Sequence, residues 1–138
     1  MESDIRLKHF KGGIKIMRYS YACELKFIIP HVKVENGVVS SANYYDFKSN
    51  LLKGLEILGL NYFQIVPMKE VIDGIEYDAE QIVVYCGEMM EQAFIQEFWN
   101  NCCSHRRDLG INSFYYIQNG VLINLEIGGD EMNRKDGE

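Results

Sequence analysis

Residues 19–29, YSYACELKFII, alternate with a period of two. Tyr19, Tyr21, Cys23, Leu25, Phe27 and Ile29 point one way, while Ser20, Glu24 and Lys26 share the other side. A β-strand with one buried face repeats at that spacing, so the chain has to build a sheet with a covered side. Pro30 lacks a backbone N–H for the ladder and predicts the strand's end. Over residues 41–58 the spacing becomes helical. Phe47, Leu51, Leu55 and Leu58 form a stripe that Tyr44, Tyr45 and Leu52 widen, with Ser40 or Ser41 as its cap and Gly59 at its end.

The same two periods recur downstream. Residues 60–67, LNYFQIVP, return to extended character, and residues 68–79 read as an acidic connection turning at Asp73-Gly74. QIVVYC, residues 81–86, is apolar on consecutive positions and β-branched, which predicts a central strand. Gly87 separates it from a second helix over 88–108, where Met90, Phe94, Phe98, Cys102 and His105 step along one stripe flanked by Ile95 and Trp99. SFYYI and VLINLEI are then strands joined through Asn119-Gly120. Asn36-Gly37 predicts another tight hairpin, and IRLKHF and IKIMR flank Lys11-Gly12-Gly13 as a short terminal one.

The expected organisation is an N-terminal extension or edge hairpin over 1–13, one α+β domain over 14–127 and a flexible polar tail over 128–138. The order of elements over about residues 19–127 resembles the ferredoxin-like βαββαβ superfold, with two helices on one face of an antiparallel sheet and extra hairpin strands at the ends. That resemblance implies a second sheet face that no helix covers. Val83, Tyr85, Tyr115 and Ile117 would line it. Leaving such apolar side chains in water forgoes about 1.5–3 kcal/mol each, so they are the candidate interface residues.

Composition excludes several classes. At 138 residues the chain has room for one well-formed core. It holds no run of eighteen apolar residues, so no transmembrane helix is expected, and MESDIRLKHFKGG lacks the apolar stretch of a secretory signal. The expectation is a cytoplasmic protein. Net charge is −6, and from Glu70 to His105 there is no Lys or Arg against eight acids. That surface repels phosphate backbones, no RNA-recognition aromatic motif is present, and neither nucleic acid nor membrane is an expected partner. An acidic face of this kind can dock a basic partner. The four cysteines include no C-x-x-C pair, which removes the strongest zinc and redox signatures and leaves free thiols.

Residues 100–107, NNCCSHRR, gather the most reactive-looking side chains. Adjacent helical residues diverge by about 100°, so Cys102 and Cys103 cannot grip one ion together, and zinc needs at least three protein ligands. No metal site and no cofactor are predicted. Arg106 and Arg107 suit the negative end of a helix dipole, and Cys102 suits the buried stripe. Cys86 is the more suggestive thiol, since it ends a strand just before a helix N-terminus whose free N–H groups favour a thiolate.

VVYCGEMMEQAFIQEFWNNCCSH, a strand running into a Trp- and Phe-rich helix with a late histidine, is similar in outline to small dimeric monooxygenases of the antibiotic-biosynthesis type and their haem-degrading relatives. That resemblance implies a pocket between the sheet and the second helix, with Cys86, Trp99 and His105 as ligand-pocket candidates. The leading expectation is a different one: a binding or regulatory module without catalytic residues, acting as a homodimer or through another protein, and small-ligand binding is the alternative use of its surface.

Overall fold

A computed structural model describes residues 6–10, 14–18 and 21–128. The elements run β1 (Arg6–Phe10), β2 (Ile14–Arg18), β3 (Cys23–Pro30), β4 (Val32–Glu35), β5 (Val38–Ser41), α1 (Tyr45–Ile57), β6 (Gln64–Ile72), β7 (Ile75–Cys86), α2 (Glu88–Leu109), β8 (Ser113–Gln118) and β9 (Val121–Glu126). Strands β6, β7, β3, β8 and β9 pair in that order into an antiparallel sheet, while β1–β2 and β4–β5 form two-stranded ladders of their own. The expected tail lies, beyond Gly128, outside the described residues.

The architecture is α+β. It carries more strands than the expected βαββαβ order: five in the main sheet and two in each of two separate ladders. Residues 68–79 correct the expectation of a connection. They are extended, and β6 and β7 make one long hairpin that turns at Asp73-Gly74, both at positive φ (52° and 80°). Val71, Ile72 and Ile75 flank that turn with β-branched side chains, which favour the pleated ladder over a loop. The helix cap is a second correction. Tyr44, not Ser40 or Ser41, occupies the N-cap of α1 and makes no side-chain cap bond, because Ser40 and Ser41 are paired in β5 with Lys33 and Val32. At the other end of α2, Gly110 takes a left-handed φ of 72° and its N–H returns to the Arg106 carbonyl.

Both helices cover one face of the sheet. Leu25, Phe27 and Ile29 of β3, Ile82 and Val84 of β7, and Phe114 and Tyr116 of β8 meet Phe47, Leu51 and Leu55 of α1 and Phe94, Phe98 and Cys102 of α2. Phe98 is the hub. It stacks on Phe27 with ring centroids 4.7 Å apart and touches the rings of Phe47 and Tyr116 at 6.2 and 5.9 Å. Helix crosses helix at Gly54, where any Cβ would collide with the Glu97 carboxylate that accepts a 2.8 Å bond from buried Asn101.

Candidate functional site

The alternation that sends Leu25 and Phe27 to the helices sends Glu24, Lys26 and Ile28 to the opposite face. Strand register extends that face across the sheet. Lys26 lies between Val83 and Ile117, with Gln64 beyond Val83 and Leu122 beyond Ile117. One row lower, Glu24 opposes Tyr85. Burial first, then the charge of Glu24, pushes the Tyr85 hydroxyl pKa up.

The four interface candidates therefore share one face, none of them in the helix-side core. Their exposure differs. Val83 is 4% exposed, Ile117 is half-buried, and Tyr85 and Tyr115 are each 37% exposed. Leu122, which the sequence did not single out, is 61% exposed at the edge. The face is also less uniformly apolar than a purely hydrophobic slab, because Lys26, Glu24, Gln81 and Asn124 interleave with it.

A cleft of about 910 Å³ opens at the β4 end of this face. Ile28, Met68, Tyr115 and Leu122 line it from the sheet, Val32 and Val34 from β4, and Ile111 and Asn112 from the turn after α2. Its charged groups come from two directions. Lys33 packs against Gly110, placing its ammonium at the negative end of α2, and lies 3.7 Å from Glu35. Glu70 is half-buried on β6, where burial raises its carboxyl pKa and the charge of His31 opposes the rise. An apolar lining edged by two ammonium groups, Lys33 and Lys69, and two carboxyls, Glu35 and Glu70, suits an amphipathic surface or ligand. Ser113 and Tyr115 bring hydroxyls to the lining, and that of Ser113 is committed to Asn124 at 2.8 Å.

Cys86, Trp99 and His105 are not brought together. Thirteen and nineteen residues separate Trp99 and His105 from Cys86 along α2. At about 1.5 Å per residue those are spans of roughly 20 and 28 Å. Trp99 is 43% exposed on the outer side of the helix. His105 packs toward α1, its ring 5.9 Å from Phe47, and Asn50 Nδ2 donates to its Nε2 at 3.0 Å. Cys86 is buried, and its surroundings push its pKa up to about 12, by desolvation first and then by Cys23 and Glu91. The helix N-terminus does not prevail there. A pocket of about 220 Å³ lies beside Cys86 where the segment 58–62 after α1 meets the junction of β7 and α2, with Tyr62, Tyr85, Met90 and Phe94 in its wall. Residues 100–107 answer as the last part of a helix that continues to Leu109, with Cys102 and Arg106 buried and Cys103 half-buried.

Sequence reasoning missed a polar constellation at the end of β3. His31 stacks on Tyr44 with ring centroids 3.9 Å apart and a 7° interplanar angle. Its Nε2 lies 3.7 Å from Glu80 Oε1, beyond hydrogen-bond reach, while Lys48 Nζ approaches the same oxygen at 2.8 Å. That approach is an ion contact without hydrogen-bond directionality, since both His31 Nε2 and Glu80 Oε1 are buried without such a bond. Forty-nine residues separate the two in sequence, and only the β3–β7 register, which sets Pro30 opposite Ala79, brings them together. No sequence spacing could have signalled it. Compared with protein-family models, with curated proteins and with solved structures, the chain matches none.

Proposed function

We propose that this domain works by association through the second face of its sheet, as a homodimer or as a binding or regulatory module for another protein. The observation that carries this reading is the 910 Å³ cleft running into exposed Tyr115 and Leu122. Concave apolar surface of that size is a docking feature more often than idle surface. A second copy is the favoured occupant, because Glu24 and Lys26 give the face both signs of charge, which a two-fold axis can make self-complementary. The run from Glu70 to Glu97 would then select among other partners by charge.

Two finer readings belong with this proposal. The segment β3–α1–β6–β7–α2–β8 supports a ferredoxin-like description of the domain's centre, with β1, β2, β4, β5 and β9 as additions. A cytoplasmic location is supported by the four free cysteines. No helix among the described residues is long and apolar enough to cross a membrane. The alternative, a small dimeric enzyme of the monooxygenase type, is supported by the pocket at Cys86. Its volume of about 220 Å³ falls below the ~300–1,000 Å³ usual for ligand sites.

Sedimentation velocity at micromolar concentration tests the proposal. A dimer is expected, and Tyr115→Glu with Leu122→Glu should return a folded monomer. A wild-type chain that sediments as a monomer, alone and with cell extract, overturns it. An absorption titration with haem and flavin tests the alternative, for which a shifted Soret or flavin band is the positive result.

A further inference from the structure

Two thiols at one end of the sheet are unused by the association reading. Cys23 opens β3, Cys86 closes β7, and the register sets them directly opposite each other. Opposed residues on antiparallel neighbours hold their Cα atoms about 4.5–5.5 Å apart. A disulfide needs about 4.4–6.8 Å. Both side chains turn to the helix face, and the two thiols are close enough for each to perturb the other's proton affinity. The Glu91 carboxylate lies near enough to the Cys23 thiol that its charge helps raise the thiol's pKa. That carboxylate is fixed by Gln118 Nε2 at 2.9 Å and Asn119 Nδ2 at 3.1 Å. The small pocket between the segment 58–62 and the junction of β7 and α2 reaches Cys86.

We propose that Cys23 and Cys86 are a dithiol–disulfide couple whose oxidant is a small aliphatic disulfide entering beside Cys86, and whose proton acceptor is Glu91. The Cys86 proton moves to the Cys23 sulfur as the Cys23 proton moves to Glu91, and the Cys86 thiolate attacks one sulfur of the oxidant. The oxidant's S–S bond breaks, and its first thiolate leaves with the proton from Glu91. Cys23 then gives its remaining proton to Glu91 and attacks the Cys86 sulfur, and the second thiol departs with that proton. Two protein thiols lose two electrons and two protons, and one small disulfide becomes two small thiols. The couple is slow to open, because burial holds the Cys86 proton tightly and Cys23 is raised by the same cause.

The experiment equilibrates the full chain in cystamine/cysteamine buffers of graded ratio, quenches with an alkylating agent in denaturant and reads the mass. A single two-electron transition is expected, with the Cys23 and Cys86 peptides linked and Cys102 and Cys103 still alkylated. Cys23→Ser and Cys86→Ser should each abolish the link and leave the remaining thiol free or carrying cysteamine. Glu91→Gln should slow the approach to equilibrium at least tenfold without removing the link. The proposal is overturned if Cys23 and Cys86 alkylate independently across the whole range. It is overturned equally if the wild-type link joins any other pair. The peptide map of the unmutated chain decides this even where a serine variant fails to fold.

Discussion

The two faces of the five-stranded sheet come from the same strands and the same alternation, yet they differ in what closes them. On the helix side, every position from Leu25 to Ile29 that points inward meets an aromatic or aliphatic partner, and Phe27, Phe98, Phe114 and Ile82 are fully buried. On the other side, Val83, Ile28 and Ala79 are buried at the centre, but Tyr85, Tyr115 and Leu122 stay in contact with water, and Lys26 sits among them. Period two guarantees two faces. It does not make them equal: the first is closed by two helices, while the second is left in part to water.

The largest effect should come from the covered face. Phe98→Ala removes the ring that stacks on Phe27 and touches Phe47 and Tyr116. A fully buried phenylalanine lost in this way costs about 3–5 kcal/mol in urea unfolding. Tyr115→Ala on the open face should cost less than about 1 kcal/mol in a monomeric sample. Equal losses would mean that the second face is as much a core as the first, and the contrast between them would fail.

A smaller effect should follow pH. Burial raises the Glu70 carboxyl, so its folded pKa lies above the unfolded value of about 4.3. Between those two values the folded chain holds more protons than the unfolded one, and stability therefore falls as pH rises through the interval. Glu70→Gln should flatten this decline. Urea midpoints of wild type and variant, measured from about pH 4 to about pH 7, check the sign, and a wild-type midpoint that falls on acidification while the variant's does not would reverse the assignment. If a second copy fills the cleft, the pH dependence of Glu70 should grow with protein concentration, which ties this carboxyl to the association reading.

How much of this was legible depended on whether the signal was local. Strand β3, the stripes Phe47–Leu51–Leu55 and Phe94–Phe98–Cys102, and the turns at Asn36, Asp73 and Asn119 all follow from spacing or from residues that tolerate positive φ. The β6–β7 hairpin was missed because its far end passes beyond the helices, so polar residues stand on both faces and the alternation disappears. Its signal was the β-branched Ile72 and Ile75 bracketing Asp73-Gly74. The site was less legible than the fold. That Val83, Tyr85, Tyr115 and Ile117 share a face follows from parity, and the separation of Cys86 from His105 follows from the length of the helix already legible over 88–108. The cleft, the His31–Glu80 approach and the Cys23–Cys86 pair all arise from register between distant strands, which no single segment encodes.

The smallest effect sharpens what covering means. Lys69 and Asp78 point to the helix side of the sheet by parity, opposite each other on β6 and β7, yet they lie where no helix reaches and remain exposed. Their 2.6 Å contact lowers the Asp78 pKa and raises that of Lys69, each by hydrogen bonding first and charge second. The aspartate contribution is complete above about pH 3.9 and is lost as pH falls through its depressed folded value. The lysine contribution is complete below about pH 10.4 and is lost as pH rises through its raised one. Because both groups are solvated, the effect of Asp78→Asn on the urea midpoint should be barely resolved at low ionic strength. It should vanish in about 1 M salt, where screening acts within roughly 3 Å. A deficit that persists in high salt would place this end of the hairpin under packing control, and would extend the covered face beyond the reach of the helices.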